Sequence, residues 1–155
     1  MSAKLAVLFH PSCLDHDAGY HHPERPERLT AIMEAAKKSG LWKHMDRPEI
    51  QPASTSDISK CHTIAHIDRV QSACLLGRAL DPDTGTSAGS WESALLAAGA
   101  GITASDLVME GKISRAFCAV RPPGHHAESN RAMGFCLFNN ASITARHIQA
   151  RHGIV

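Results

Sequence analysis

Residues Arg115–Val120, RAFCAV, form a short and mostly apolar run of the kind carried by buried parallel strands. The run empties directly into Arg121–Asn140, RPPGHHAESNRAMGFCLFNN. This junction limits the fold more than any other stretch, because open α/β sheets gather their ligands at the carboxyl ends of strands. Pro122, Pro123 and Gly124 supply stiffness, a bend and close backbone approach. His125 and His126 follow, then Glu128, the triplet Gly134-Phe135-Cys136 and the pair Asn139-Asn140. Two histidines on a stiff loop divide labour. One serves as general base and acid, with an unperturbed pKa of about 6.5, and the other stabilises charge. Adjacent histidines rarely share one ion, and helical metal pairs use i, i+3 or i, i+4 spacing, so the pair reads as acid–base machinery. Gly134 permits close approach and Phe135 offers a flat apolar face to an alkyl chain. On burial grounds alone Phe135 reads equally well as a core aromatic.

The rest of the chain alternates strand and helix patterns. Lys4–Phe9 (KLAVLF) is a second apolar run, followed by a polar loop, Ser12–Pro23, that carries Asp15, His16, Asp17, His21 and His22. A helix is expected from about Pro26 to Ser39, with proline and Glu27 in its first turn and Leu29, Ile32, Met33 and Ala36 as its apolar stripe. Arg25 and Arg28 flank its start, against the helix dipole, which calls for another partner. Glu49–Ala53 is expected as a strand and Asp57–Cys61 as one helical turn. Thr63 caps a helix over Ile64–Leu76 that Gly77 ends, with Ile67, Val70, Ala73 and Cys74 inward. Leu80–Gly89 (LDPDTGTSAG) is a turn-rich acidic loop. Trp91–Met109 is the longest helix pattern, with Ala94, Leu95, Ala98, Ile102 and Leu107 apolar and a small-residue centre at Ala97–Gly101. A last helix starts near Asn139 or Asn140, turns Ile143 and Ile148 inward and ends at Gly153, before Ile154 and Val155 open a further strand. Two or three strands against four helices leave helix faces uncovered. The expectation is therefore the N-terminal part of a larger α/β domain.

Composition removes several classes. With 155 residues and 43% apolar content, one ordinary domain is expected. A net charge of +1 without a basic run argues against a nucleic-acid partner. The opening MSAKLAVLFH is too short for a signal sequence or a membrane span, so a cytoplasmic protein without a membrane partner is expected. Five cysteines, odd in number and without C-x-x-C, signal neither a disulfide framework nor a thiolate zinc site. Eleven histidines are the compositional excess. His10, His16, His21 and His22 could make a metal-binding module, although their spacing fits no closed zinc pattern.

RPPGHHAE followed by GFCLFNN closely resembles the zinc-dependent histone deacetylase family, and most of all the class II and bacterial deacetylase-like amidohydrolases, including acetylpolyamine amidohydrolases. HHPERPERL (His21–Leu29), CHTIAHIDRV (Cys61–Val70), LDPDT (Leu80–Thr84) and SWESALLAAGA (Ser90–Ala100) match the same family in the same order. The resemblance implies an arginase/deacetylase-like parallel sheet flanked by helices. It also implies zinc-dependent hydrolysis of an acetylated amine or peptide threaded down a narrow tube. By position, His126 matches the general base and acid and His125 its electrostatic partner. Gly134 and Phe135 match the channel wall. Asp83 matches the rim aspartate, with Asp81 as the other register, and Arg25 matches an arginine beside the product cavity. The family's zinc ligands, an Asp-x-His and a later Asp, are expected beyond Val155, so no metal ligand is assigned within residues 1–155. Two outcomes follow: a deacetylase active when completed, or a non-catalytic fragment or half-domain that assembles with another chain. A truncated chain is expected to oligomerise or aggregate.

Overall fold

The computed structural model describes residues 5–154. Lys4, expected to open the first strand, and Val155, expected in a further one, lie outside the described residues. Strand β1 (Leu5–Leu8) is the middle of a three-stranded parallel sheet, flanked by β2 (Met45–Asp46) and β3 (Arg115–Cys118). Leu5 pairs with Met45 and Arg115, and the β1–β3 register runs on to Leu8 opposite Cys118. Ala6, Val7 and Leu8 are buried, as expected of a central strand covered on both faces.

Among the described residues, five α-helices are interspersed with the strands: α1 (Pro26–Lys38) between β1 and β2, α2 (Thr55–Ile58), α3 (Ile64–Leu76) and α4 (Ser90–Met109) between β2 and β3, and α5 (Asn140–His152) after β3. Their ends follow local chemistry. Pro26 and Glu27 open α1, and Gly40 beyond it adopts φ +80°. Ser54 and Asp57 form a reciprocal capping box on α2. The Thr63 side chain accepts the His66 N–H at the start of α3, and Gly77 closes that helix at φ +59°. The Asn139 side chain accepts the Ser142 N–H, and Gly153 ends α5 at φ +67°.

Two apolar clusters form the core. One joins the sheet to α1 and α4 through Leu29, Met33, Leu96, Ala100 and Ala104. The other joins α3, α4 and α5 through Ile67, Val70, Cys74, Ala98, Phe138 and Ile143. The small-residue centre of α4 lets neighbours approach. A Cβ on Gly99 would collide with the Gln51 carbonyl oxygen, and one on Gly101 with the Thr144 hydroxyl.

Four expectations are corrected. Glu49–Ala53 is not a strand. Pro48 and Pro52 remove ladder donors there, so the second strand lies earlier and the segment is tied instead through the Ala53 N–H to the Leu95 carbonyl at 2.9 Å. Arg115–Val120 is not fully buried: among the described residues β3 has one strand neighbour, and Phe117 is 46% exposed. Ile32 is also exposed rather than inward, beside Phe117 in a groove along β3. In α5, His147 is buried while Ile148 is only half-buried, because the helix turns that face toward Asp106 of α4. Among the described residues, no helix is long and apolar enough to cross a membrane.

Candidate active site

The Arg121–Asn140 loop leaves β3 and is fastened at nearly every turn. Arg121 is buried and sends a bidentate pair to Glu24, with Nε to Oε1 at 2.6 Å and Nη2 to Oε2 at 2.7 Å. Its remaining donors reach the Cys13 and His16 carbonyls at 3.1 and 2.9 Å. His16 Nε2 lies 3.4 Å from the same carboxylate, while its Nδ1 meets the Ser90 hydroxyl at 2.7 Å. Burial alone would raise the Glu24 carboxyl. His16 and Arg121 outweigh it and bring the pKa down to about 2. The 12–23 loop is thus drawn under the histidine loop by a buried ion pair with its lone pairs satisfied.

The Arg121–Pro122 peptide is cis. Gly124 accommodates Asn140, whose side chain a Cβ would strike, and its carbonyl accepts the Ala141 N–H at 3.0 Å. The Asn139 side-chain amide donates to the Ala127 carbonyl at 3.0 Å. α3 and the residue before its cap form a second wall. The Thr63 N–H donates to the Ser129 carbonyl, Arg69 to the Asn130 carbonyl and His66 Nε2 to the Leu137 carbonyl. His62 Nε2 accepts the Asn139 N–H at 2.9 Å, so its proton sits on Nδ1. Burial, and for His62 the neighbouring His66, holds both imidazoles below the usual histidine pKa and so neutral at neutral pH.

On this frame His125 and His126 stand exposed side by side, with ring centroids 4.1 Å apart and planes at 46°. The His125 N–H points at Cys136 Sγ, 3.5 Å away. Met133–Cys136 is a tight turn closed by bonds in both directions, with Gly134 at φ +57° and Phe135 at φ +68°. Two consecutive positive φ values define a type I′ turn, which explains the glycine. A Cβ on Gly134 would come within 2.9 Å of the His126 ring, so the glycine is also what lets the ring lie on the turn.

The acidic turn Leu80–Thr84 faces this assembly. Buried Thr84 donates to the Asp83 carboxylate at 3.2 Å and accepts the Phe135 N–H at 3.2 Å, which couples rim to turn. Asp81 caps the same turn by accepting the Asp83 N–H. The burial of Asp81 would raise its carboxyl, but hydrogen bonds from Thr84 and Asp83 lower it. His22 Nδ1 accepts the Glu24 N–H, Nε2 donates to the Asp83 carbonyl at 3.1 Å, and the ring meets Phe135 edge-on at 4.7 Å.

An open groove of about 570 Å³ runs between Asp81, Pro82, Asp83, His126, Arg131, Met133 and Gly134. The structure therefore gathers His126, Gly134 and Asp83 around one space, with His125 and Phe135 adjoining. Arg25 is not brought there. It is exposed, 3.9 Å from Glu27, and lines a separate groove with His21 and His22. The arginine of this helix start that approaches the buried carboxylate is Arg28, 3.8 Å from Glu24 in the groove along β3. His10, His16, His21 and His22 do not converge as a ligand set. His10 accepts the Ser12 N–H, and His16 and His22 are committed as described. Sequence reasoning missed the roles of Glu24, His62, His66 and Thr84. Only the polar positions in HHPERPERL, CHTIAHIDRV and LDPDT hinted at them.

Exposed paired histidines beside an acidic turn, at the carboxyl end of a parallel strand, mark the class of α/β proteins that gather their ligands at strand ends. Comparison with known proteins gives that class a family. Residues 22–155 match the histone deacetylase domain, and the chain belongs to the histone deacetylase family. It is 34% identical to a probable deacetylase of Archaeoglobus fulgidus, over 90% of this chain and 40% of that protein. It is 32% identical to the histone deacetylase-like amidohydrolase of Pseudomonas aeruginosa, over 99% of this chain and 45% of that protein. The human polyamine deacetylase HDAC10 is 35% identical over 84% of this chain and 21% of its own length. A crystal structure of the HDA15 HD domain superposes with a TM-score of 0.91 at 33% identity, covering 96% of this chain and 44% of that one. The arginase/deacetylase-like sheet is thereby established, and the chain spans less than half the length of these relatives.

Proposed function

We propose that this chain supplies the histidine pair and the substrate groove of a deacetylase that hydrolyses the amide of an acetylated amine, either an acetyl-lysine side chain or an acetylated polyamine. The observation that carries the reading is the groove shared by His126, Gly134 and Asp83. A substrate chain lying over Gly134 and beside Phe135 brings its acetyl carbonyl to His126. His126 takes a proton from the attacking water and returns it to the departing nitrogen as the C–N bond breaks, giving acetate and a free amine. His125 stabilises the charge that builds on the carbonyl oxygen. Asp83 at the rim accepts a hydrogen bond from a substrate N–H or pairs with an ammonium group. The protein acts, in this reading, in the cytoplasm.

The family resemblance implies zinc. Among the described residues, the one His/Cys/Asp/Glu trio whose ligand atoms converge is Asp106, His147 and His152, on α4 and α5 rather than at the histidine loop. The residues around His126 therefore do not fit the zinc site, and we place its ligands in the part of the family's length that this chain does not span. The alternative is a non-catalytic fragment, or a half-domain that pairs with another chain, favoured by the edge that β3 leaves open among the described residues and by the exposed Phe117. Acetate release from an acetyl-lysine peptide and from an acetylated polyamine by the full-length protein separates the two. Turnover of at least one substrate is expected, and no release from either contradicts the deacetylase reading.

A further inference from the structure

The feature that the histidine chemistry leaves unused is the trio Asp106, His147 and His152. Asp106 lies in the last turn of α4, and the two histidines lie in the last two turns of α5. His147 Nε2 and His152 Nε2 both point at the same oxygen, Asp106 Oδ1, at 2.8 and 2.7 Å. All three ligand atoms lie within 4.8 Å of one another. His147 is buried, whereas His152 and Asp106 are half-buried, so one side of the trio faces solvent. At a rise of about 1.5 Å per residue, His152 sits about 18 Å along α5 from Asn140, where the helix leaves the histidine loop. These side chains therefore belong to the opposite end of the helix pair.

We propose that Asp106, His147 and His152 form a binding site for a borderline divalent cation of the zinc class, which pins the C-terminal ends of α4 and α5 together. Three arguments converge. Two imidazole nitrogens and one carboxylate oxygen are the donor set that such ions prefer over calcium or magnesium, which take mainly oxygen. Both helices end at this point, and a helix C-terminus carries a partial negative charge, so two dipoles and a carboxylate focus a field that favours a cation. The position is at present met by a cation of the protein itself, since Arg151 Nε lies 3.3 Å from the same Oδ1. Its side chain is 57% exposed, and a surface pair of this kind holds weakly enough to be displaced. Zinc bonds of about 2.0–2.1 Å need ligand atoms about 3.3 Å apart in a tetrahedron. The two nitrogen–oxygen distances therefore open by about half an ångström while the two imidazole nitrogens, within 4.8 Å of each other, draw together by up to about 1.5 Å, movements carried by the half-buried His152 and Asp106. Three protein ligands leave the fourth position to water on the exposed side.

The test is a calorimetric titration of the metal-stripped full-length protein with zinc, comparing the unaltered protein with His152→Gln, Asp106→Asn and Arg151→Gln. The site predicts one equivalent, additional to the zinc of the deacetylase centre, that His152→Gln and Asp106→Asn lose or weaken at least tenfold, and that Arg151→Gln tightens because the competing guanidinium is gone. Circular dichroism confirms that each variant is folded. Deacetylation, where present, persists in all three. Absence of zinc binding at micromolar metal overturns the proposal. So does a titration in which His152→Gln and Asp106→Asn bind as many equivalents, as tightly, as the unaltered protein, or in which Arg151→Gln weakens the additional one.

Discussion

Glu24 and Arg121 sit 97 residues apart in sequence and meet as a bidentate pair with almost no solvent access. Breaking such a pair leaves a buried charge uncompensated, so Arg121→Met is expected to destabilise the fold by about 3–5 kcal/mol, read by urea unfolding. The same site sets a pH dependence. The Glu24 pKa falls from an ordinary value near 4.5 to about 2 on folding, so its contribution is complete above about 4.5 and disappears as pH drops toward 2. The buried imidazoles of His62 and His66 act earlier. Their folded pKa values lie below the usual value of about 6.5, so the unfolded chain binds more protons as pH falls below it, and stability is expected to decline from there. Urea midpoints measured from pH 8 to pH 3 should show both declines, and a profile flat between pH 7 and 5 contradicts the histidine assignment. At Gly134, alanine meets both φ +57° and the His126 ring, and a loss of about 1–3 kcal/mol is expected with a larger loss of turnover.

At the scale of elements, the helices were legible because caps are local. Thr63, Gly77, Asn139 and Gly153 each act within a few residues of their own position, and α3 runs over the expected Ile64–Leu76. The strands were less so. Pro48 and Pro52 exclude Glu49–Ala53 from a ladder, and its buried Ile50 and Ala53, three residues apart, lack the alternation of a strand. The histidine loop was read from its own residues, but what holds it was not. His62, His66, Thr84 and Glu24 reach it across long separations, and nothing in a single sequence marks which polar residues will meet. Arg25 shows the same limit. The helix dipole calls for a partner at that start, but Arg28, one turn later, is the arginine that approaches Glu24. The packing of α4 on the 50–53 segment gives an element-scale prediction. Gly99→Ala drives a methyl group into the Gln51 carbonyl, and a loss of about 1–3 kcal/mol in thermal or urea unfolding is expected.

For the whole molecule, the described residues leave β3 with a free edge, flanked by exposed Phe117 and Ile32. An open strand edge beside apolar side chains is a template for association. The 155-residue chain by itself is expected to self-associate in light scattering, and a monodisperse monomer contradicts that. The fold and the family resemblance agree on a parallel sheet whose third strand delivers the paired histidines to a groove with an acidic rim. The proposed role of His126 in moving the proton of amide hydrolysis is tested most directly by the turnover of an acetylated amine by the full-length protein before and after His126→Ala. A loss of about 10²- to 10⁴-fold in kcat, with the fold intact, is the predicted result, and unchanged kcat contradicts it.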